Sequence, residues 1–256
     1  MENTNRSAGE ELAAKLLEEP KNAGLIMSDE EIAAADGFCE DYKKFLNAAK
    51  TEREACTEAI KRAKAAGFTE YDPTADYKAG DKFYFCNREK SVILTVMGKK
   101  PLAEGIRLAA AHIDSPRLDL KQHPLYEDRE LALFKTHYYG GIKKYQWTTI
   151  PMSLHGVIVK ANGEKVSVAI GEDESDPVFC VTDLLIHLAS EQMKRTLAEG
   201  VKGEELNLLI GSRPFKDDKV SKKVKLNIMS ILNEKYGITD EGNRLYKRGT
   251  LRRTRV

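Results

Sequence analysis

Residues 109–121 read A-A-A-H-I-D-S-P-R-L-D-L-K and place a histidine and a carboxylate one residue apart at the end of an apolar run. In a strand, residues i and i+2 lie on the same face, so His112 and Asp114 would point the same way while Ile113 points into the core. One imidazole nitrogen can then bind a cation while the other donates its proton to a nearby carboxylate, which fixes the tautomer. The spacing therefore indicates a candidate metal site, and it fits a hydrogen-bonded surface pair as well.

Three short β-rich runs lie in this region, and the last of them overlaps the start of the quoted stretch. The runs cover residues 83–85, 91–97 and 106–112, and the turn sequences N-R-E-K and G-K-K-P separate them. This pattern predicts that His112 ends a strand, which is where open α/β sheets place ligands. Upstream, Ser28 and Glu31 form a capping-box pattern and predict a helix that extends to Gly67.

After Pro124 the sequence changes to short predicted strands separated by turns. These strands cover residues 132–134, 157–160 and 166–170. Residues 182–193 begin with Thr-Asp and continue with spaced leucines, which predicts a helix. Another helix is predicted over 221–236 and ends at Gly237.

The composition is that of an ordinary globular protein, because 41% of the 256 residues are hydrophobic and 32% are charged. Residues 1–242 carry 35 Lys and Arg against 40 Asp and Glu, a net charge of −5. The last fourteen residues add six basic residues and no acid. An acidic body with a short basic tail argues against nucleic-acid binding as the main function.

The cysteines and the N-terminus bear on the cellular compartment. The four cysteines form no C-x-x-C pair of the zinc-finger or redox type, so we expect thiols in a reducing compartment. The N-terminus has no apolar signal core, and no run approaches the roughly 18 apolar residues of a membrane span. We therefore expect a cytoplasmic protein that does not interact with a membrane.

Six stretches, taken in order, resemble the aspartyl aminopeptidase family of zinc metallopeptidases, particularly its bacterial members. They are K-T-E-R-E at 50–54, G-D-K-F-Y at 80–84, A-H-I-D-S-P at 111–116, Y-G-G at 139–141, L-I-H-L at 185–188 and G-E-E-L-N at 203–207. The resemblance runs in family order from about residue 40 to residue 240. The ordered set is specific, although no single stretch is decisive.

The resemblance implies an α/β fold in which a β-rich dimerisation domain interrupts a zinc-peptidase domain. Residues 1–120 would form the N-terminal part of the peptidase domain, and residues 121–241 would form the dimerisation domain. Residues 242–256 would form a basic tail that does not match the family.

The resemblance also implies a reaction. Family members use two Zn²⁺ ions per site to activate a water that attacks the first peptide carbonyl of a substrate with a free N-terminus, and a glutamate accepts the proton of that water. In this scheme His112 looks like a metal ligand, and Asp114 looks like the partner that orients it. The implied activity is release of N-terminal residues, with an acidic or broader preference.

His187 matches a second family position. In family assemblies the dimerisation domain offers a histidine to the active site of the neighbouring subunit, where it helps to bind substrate. This resemblance implies a homo-oligomer. The alternative is that His187 is an ordinary histidine beside Leu185 and Leu188.

The family's other metal ligands and its glutamate base lie downstream of the dimerisation domain, where this sequence has no matching motif. The pairs Glu204-Glu205 and Asp217-Asp218 mimic such groups, but they belong to stretches that match the dimerisation domain. We expect both pairs to be solvated surface carboxylates. The remaining histidines have no ligand spacing and are expected to be structural or exposed: His123, His137 and His155.

The basic tail departs from the family pattern abruptly after Glu241. Reading permitted codons one nucleotide later allows E-T-D-F-I-S-A-E-L-S-D-V-P-A, which resembles the next family segment. The hypothesis is a frameshift that truncates the peptidase domain and leaves an apolar face uncovered, with poor solubility as the consequence.

Two other classes of function compete with the metalloaminopeptidase. A catalytically inactive, truncated chain could act only as a dimerisation or interaction module. A nucleic-acid binder rests on the basic tail alone and ranks last, because an isolated basic run of this kind is more often solvated.

Overall fold

The computed structural model describes residues 7–18, 20–160, 162–237, 239 and 249–253. The chain divides into two compact units, Met1–Ala48 and Ala49–Val256, which are described separately. The described part of the first unit contains helices α1 (Ala8–Leu16) and α2 (Asp29–Ala48). The Ser28 hydroxyl accepts from the Glu31 amide, and the Glu31 carboxylate accepts from the Ser28 amide, so the predicted capping box is confirmed.

The predicted continuation of this helix to Gly67 is wrong, because the second unit starts a new helix. Helix α3 (Glu52–Ala65) begins at Thr51, whose hydroxyl accepts from the Glu54 amide. A side-chain cap at this point satisfies an amide that has no partner inside the new helix. Helix α3 contacts a small sheet in the order β1-β2-β3, made of β1 (Thr69–Glu70), β2 (Lys82–Asn87) and β3 (Ser91–Val96).

A seven-stranded sheet in the order β7-β6-β10-β4-β5-β9-β8 forms most of the second unit, and every named pair in it is antiparallel. Its strands are β4 (Arg117–Asp128), β5 (Leu131–Tyr139), β6 (Met152–Val159), β7 (Lys165–Ile170), β8 (Cys180–Val181), β9 (Leu208–Gly211) and β10 (Gly249–Arg253). Strand β10 belongs to the predicted basic tail 242–256; residues 242–248 and 254–256 of that tail lie outside the described residues. Strand β4 runs across the predicted domain boundary at residues 120 and 121, and that boundary stays a prediction.

The main hydrophobic core lies on this sheet, and helix α5 (Lys223–Tyr236) packs against β4 and β5. Val224 of the helix is buried in one cluster with Leu118, Met152 and Leu208 from three strands. Gly237 ends the helix in the left-handed conformation with φ +68°, as the sequence predicted. The core thus anchors strand β4, which starts immediately after the H-I-D stretch.

The strand predicted over residues 106–112 does not form. Residues 105–116 have no regular secondary structure, and the chain becomes a strand only at Arg117. An apolar run becomes a strand when a neighbouring strand satisfies its backbone groups, and no described strand pairs with this run. His112 therefore lies in an extended loop before β4 rather than at the end of a strand.

The helix predicted over 182–193 is also largely absent. Only α4 (Ser190–Met193) is helical, and residues 186–188 form a turn. Asp183 instead uses its carboxylate to accept from the Leu184 amide and the Gln192 side chain. The leucines of this stretch are exposed, so there is no buried face to stabilise a helix.

Candidate metal and active-site residues

His112 and Asp114 are in contact, as the sequence predicted, although the loop rather than a strand holds them. The His112 Nδ1 atom lies 2.8 Å from the Asp114 carbonyl oxygen and 3.3 Å from the Asp114 Oδ1 atom. Because the carbonyl oxygen can only accept, Nδ1 is the donor, and in the neutral ring the lone pair then lies on Nε2. The His112 side chain is 84% exposed, so this lone pair belongs to an accessible ring.

Tyr139 extends this pair on its other side. The Tyr139 hydroxyl donates to the Asp114 Oδ2 atom at 2.7 Å. This hydrogen bond is the largest influence that lowers the pKa of the Asp114 carboxyl, and it also raises the pKa of the Tyr139 phenol. Asp114 is therefore held as a carboxylate between a phenol and an imidazole.

The chain reverses directly after Tyr139, at a position that requires glycine. Gly140 has φ +81°, and a Cβ atom there would lie 3.5 Å from the Pro116 Cα atom. A glycine adopts this left-handed conformation without strain. The Y-G-G stretch thus brings the end of β5 close to the loop that carries His112 and Asp114.

Arg117 supports this arrangement from the core side. It is opposite Tyr139 in the antiparallel β4–β5 register, and its guanidinium carbon lies 4.0 Å from the centroid of the Tyr139 ring. No sequence pattern indicated a role for Arg117 or Tyr139. The Y-G-G stretch marked the neighbourhood, but no local pattern indicates a contact between a phenol and a carboxylate 25 residues apart.

His187 lies on the exposed turn between β8 and α4. Within the described residues it forms no hydrogen bond with His112 or Asp114, so one chain brings together only two of the three predicted site residues. A cavity of about 290 Å³ lies beside this turn and is lined in part by Asp183, Gln192 and Arg195. Asp183 accepts hydrogen bonds from Thr148 and Gln192, which fixes the start of the segment that carries His187.

The carboxylate pairs that mimic catalytic groups lie on the surface. The Glu204 carboxylate forms an ion pair with Lys121 at 2.6 Å, and the Asp218 carboxylate forms one with Lys223 at 2.6 Å. Hydrogen bonds from these lysines lower the pKa of both carboxyl groups. Both residues are exposed, as expected for solvated carboxylates.

His155 is structural, as expected, but its surroundings were not predicted. Its side chain is 4% exposed, and its two ring nitrogens face Glu54 Oε1 and Glu172 Oε1. Burial lowers the pKa of His155, and the hydrogen bonds and charges of these two carboxylates outweigh burial and raise it overall. His155, Glu54 and Glu172 form a group between α3, β6 and the segment after β7. The contact with His155 gives Glu54 of the K-T-E-R-E stretch a structural role.

The described residues supply only part of a metal site. Among them, no group of three or more His, Cys, Asp or Glu side chains is arranged to hold a metal ion. The His112 ring nonetheless fits one ligand position for zinc, because Nδ1 contacts the Asp114 carbonyl and Nε2 is left for a metal. No helix in the described part of the chain has the length and apolarity that crossing a membrane requires.

The sequence of this chain is similar to those of a known protein family. Residues 45–243 match the model of a family described as aminopeptidase I zinc metalloprotease (M18). A probable M18 family aminopeptidase 1 from Clostridium acetobutylicum is 51% identical over 230 residues, which cover 88% of this chain and 50% of that relative. The chain spans about half the length of the curated relatives it matches.

Two solved structures share the fold. The crystal structure of an M18 family aminopeptidase from Thermotoga maritima is 40% identical with a TM-score of 0.82, over 91% of this chain and 50% of that one. The crystal structure of aminopeptidase I from Clostridium acetobutylicum is 46% identical with a TM-score of 0.81, over 94% of this chain and 53% of that one. These matches confirm the α/β class expected from the sequence. This chain belongs to the M18 family of aminopeptidase I zinc metalloproteases.

Proposed function

We propose that this chain carries part of the active site of a zinc aminopeptidase, with His112 as a metal ligand and Asp114 as the residue that orients it. The observation that supports this most directly is the His112 Nδ1 contact with the carbonyl and carboxylate oxygens of Asp114. It leaves Nε2 of an exposed ring as the nitrogen available to a metal. Membership of a zinc metalloprotease family supports the same assignment.

The proposed activity is release of N-terminal residues from peptides with a free N-terminus, with an acidic or broader preference and two zinc ions per complete site. Bound zinc would supply Lewis-acid chemistry that polarises the peptide carbonyl and activates water. In this chain, Asp114 would hold the proton at His112 Nδ1. His187 would contact the substrate in the neighbouring subunit of a homo-oligomer.

The test is a peptidase assay combined with a zinc titration of the full chain. Aspartyl and glutamyl p-nitroanilides are the probes for activity, before and after treatment with a chelator and readdition of Zn²⁺. His112→Ala should abolish zinc binding, and the matched control His137→Ala, which changes an exposed histidine of β5, should leave it intact. If His112→Ala binds zinc as the wild type does, the proposed ligand is wrong.

The alternative is a dimerisation or interaction module without catalysis. The observation that favours it is the apolar turn, which we define as residues 184–188, where Leu185 is 72% and Leu188 is 70% exposed. Exposed apolar side chains of this kind mark association surfaces. Self-association in sedimentation velocity that Leu185→Asp disrupts and Leu12→Asp does not, without any peptidase turnover, would favour this module over the enzyme.

Two further proposals concern the origin of the basic tail and the cellular compartment of the protein. We propose that residues 242–256 arise from a frameshift and that the protein is cytoplasmic; the model of the family matches up to residue 243. Resequencing the gene from the codon for Tyr236 onward tests the first proposal. Recovery of the family's carboxylates and last histidine in another frame would support it, and a continuation without them would contradict it.

A further inference from the structure

Strand β10 lies in the interior of the seven-stranded sheet, between β4 and β6. It is antiparallel to both neighbours, and its residue Leu251 is opposite Leu154 of β6 and Leu118 of β4. Five residues of β10 are paired with β6, and two of them are also paired with β4. Among the described strands, no other strand pairs with these edges of β4 and β6. The gap between β4 and β6 is therefore one strand wide, and β10 is the described strand that fills it.

Both strands that border this gap carry fully buried residues. Arg117 and Leu118 at the start of β4 are 0% exposed, and so are Met152 and Ser153 at the start of β6. The opposite edges of β4 and β6 are paired with β5 and β7. Backbone amides and carbonyls that face the gap are hidden from water, so they need hydrogen-bond partners within the protein. An extended segment in the gap supplies those partners.

Strand β10 lies outside the part of the chain that matches the family model. That match covers residues 45–243, whereas β10 covers residues 249–253. A segment outside the match nevertheless takes an interior position, in register with both neighbours. Strand addition derives its affinity from main-chain hydrogen bonds, which an extended segment without proline can form whatever its side chains. The gap thus selects an extended backbone rather than one particular sequence.

We propose that the gap between β4 and β6 is a strand-accepting site that recognises the backbone of an extended peptide segment. Residues 249–253 occupy the site in this chain, and a separate peptide in extended conformation can take their place by the same antiparallel pairing. The observation that carries the proposal is the position of β10, which is hydrogen-bonded to one strand on each side. The site goes beyond the proposed function and does not depend on metal binding by His112.

The first test is amide hydrogen exchange, measured by NMR, in the full chain and in its Leu251→Pro variant. Proline at this position removes an amide hydrogen from the centre of β10. The matched control is Leu245→Pro, which places the same substitution in the basic tail but outside β10. We expect Leu251→Pro to speed exchange of the amides of residues 152–156 by at least about tenfold, and Leu245→Pro to leave it within about twofold. Equal effects of the two variants would refute the site.

The second test supplies the strand as a separate molecule. A synthetic peptide of residues 247–256 is added to the Leu251→Pro chain. The control peptide carries N-methyl groups at Thr250 and Leu251, which keep the side chains and the charge but remove two amide hydrogens. We expect the unmodified peptide to restore slow exchange at residues 152–156 and the methylated peptide to have no effect. Restoration by both peptides would show that the backbone does not carry recognition, and restoration by neither would show that the gap accepts no separate segment; either result overturns the proposal.

The wild-type chain decides the question even if Leu251→Pro does not fold. When β10 occupies the gap, the amides of Thr250 and Leu251 should exchange at least about 100-fold more slowly than the same amides in the free peptide. Exchange at the rate of the free peptide would mean that the gap is not occupied by this segment, and the proposal would be wrong. None of these readouts involves zinc or peptidase turnover, so failure of the proposed function leaves them unchanged.

Discussion

The His155 Nδ1 atom lies 2.8 Å from the Glu54 Oε1 atom, although the two residues are 101 positions apart. The other ring nitrogen lies 2.9 Å from Glu172 Oε1, an atom that also accepts from the Ser153 hydroxyl at 2.6 Å. Both ring nitrogens can donate at once only in the protonated imidazole. These contacts tie helix α3 to the large sheet through a buried histidine, and both can be hydrogen bonds from the ring when the imidazole is protonated.

Removal of this imidazole should destabilise the fold. We expect His155→Asn to lower the free energy of unfolding by about 1 to 3 kcal/mol, because the shorter side chain leaves a partly buried carboxylate without its donor. The control is His123→Asn, an exposed position with φ +48° that asparagine tolerates. Urea unfolding of both variants measures the difference, and equal stability of the two would show that the buried contact contributes nothing.

The same group predicts how stability depends on pH. Burial raises the pKa of Glu54, but the hydrogen bond and charge of His155 outweigh burial and lower that pKa below its ordinary value of 4.5. The contribution of Glu54 to the free energy of unfolding is therefore present above pH 4.5, and it is lost as the pH falls through the lowered pKa. For His155 the pKa is raised above 6.5, so its contribution is present below pH 6.5 and is lost as the pH rises through the raised pKa.

The contribution of this group should consequently be largest between about pH 4.5 and 6.5. The measurement is the difference in unfolding free energy between the wild type and His155→Asn across pH 4 to 9. We expect this difference to decline on both sides of that window, since titrations outside the group cancel between the two proteins. A difference that stays constant up to pH 9 would be incompatible with a raised pKa of His155.

Local patterns in the sequence were sufficient for features that depend on neighbours along the chain. The capping box at Ser28, the helix that ends at Gly237 and the pairing of His112 with Asp114 were all predicted and are confirmed. Each of these features is stabilised by residues within a few positions of one another. The α/β class followed from the alternation of helical and β-rich patterns together with the family resemblance.

Features that depend on distant residues were not predicted. The run at 106–112 has β-rich composition, but a strand requires a paired neighbour that composition does not reveal. The leucines at 184–188 have helical spacing, but the packed face that stabilises a helix is absent. In the same way, nothing near Arg117 in the sequence indicates its contact with the ring of Tyr139.

Arg117 is the buried charge whose removal should cost most. We expect Arg117→Met to lower the free energy of unfolding by about 3 to 5 kcal/mol, because it leaves the carboxylates of Glu52 and Asp119 without their buried cation. The control is Arg53→Met, because Arg53 pairs with Glu89 at the surface and such pairs contribute less than about 1 kcal/mol. Thermal and urea unfolding should rank the two variants in this order, and the reverse order would refute the buried network.

The four free thiols should differ strongly in reactivity. Burial, followed by the neighbouring Cys86, raises the pKa of the Cys56 thiol to about 11, whereas Cys39 is exposed on α2. Because the thiolate is the nucleophile, we expect Cys56 to react with a disulfide reagent at pH 8 at least about 100-fold more slowly than an exposed thiol. Cys39→Ser should remove the fast phase and Cys56→Ser should not; a fast phase that survives Cys39→Ser but disappears in Cys56→Ser would contradict this assignment.

Strand β3 presents an apolar edge that should promote aggregation. It ends the small sheet, pairs only with β2 among the described strands, and exposes 58% of Ile93 and 57% of Val96. Unpaired, hydrophobic strand edges promote association with other chains.

The double variant Ile93→Thr/Val96→Thr keeps strand propensity while it removes apolar surface. We therefore expect the variant to bind less of a hydrophobic dye and to have a larger soluble fraction than the wild type. Threonine at Leu12 and Leu16, which are at least about as exposed on helix α1, is the control. An equal gain in solubility there would mean that exposed apolar area in general, and not the β3 edge, drives aggregation.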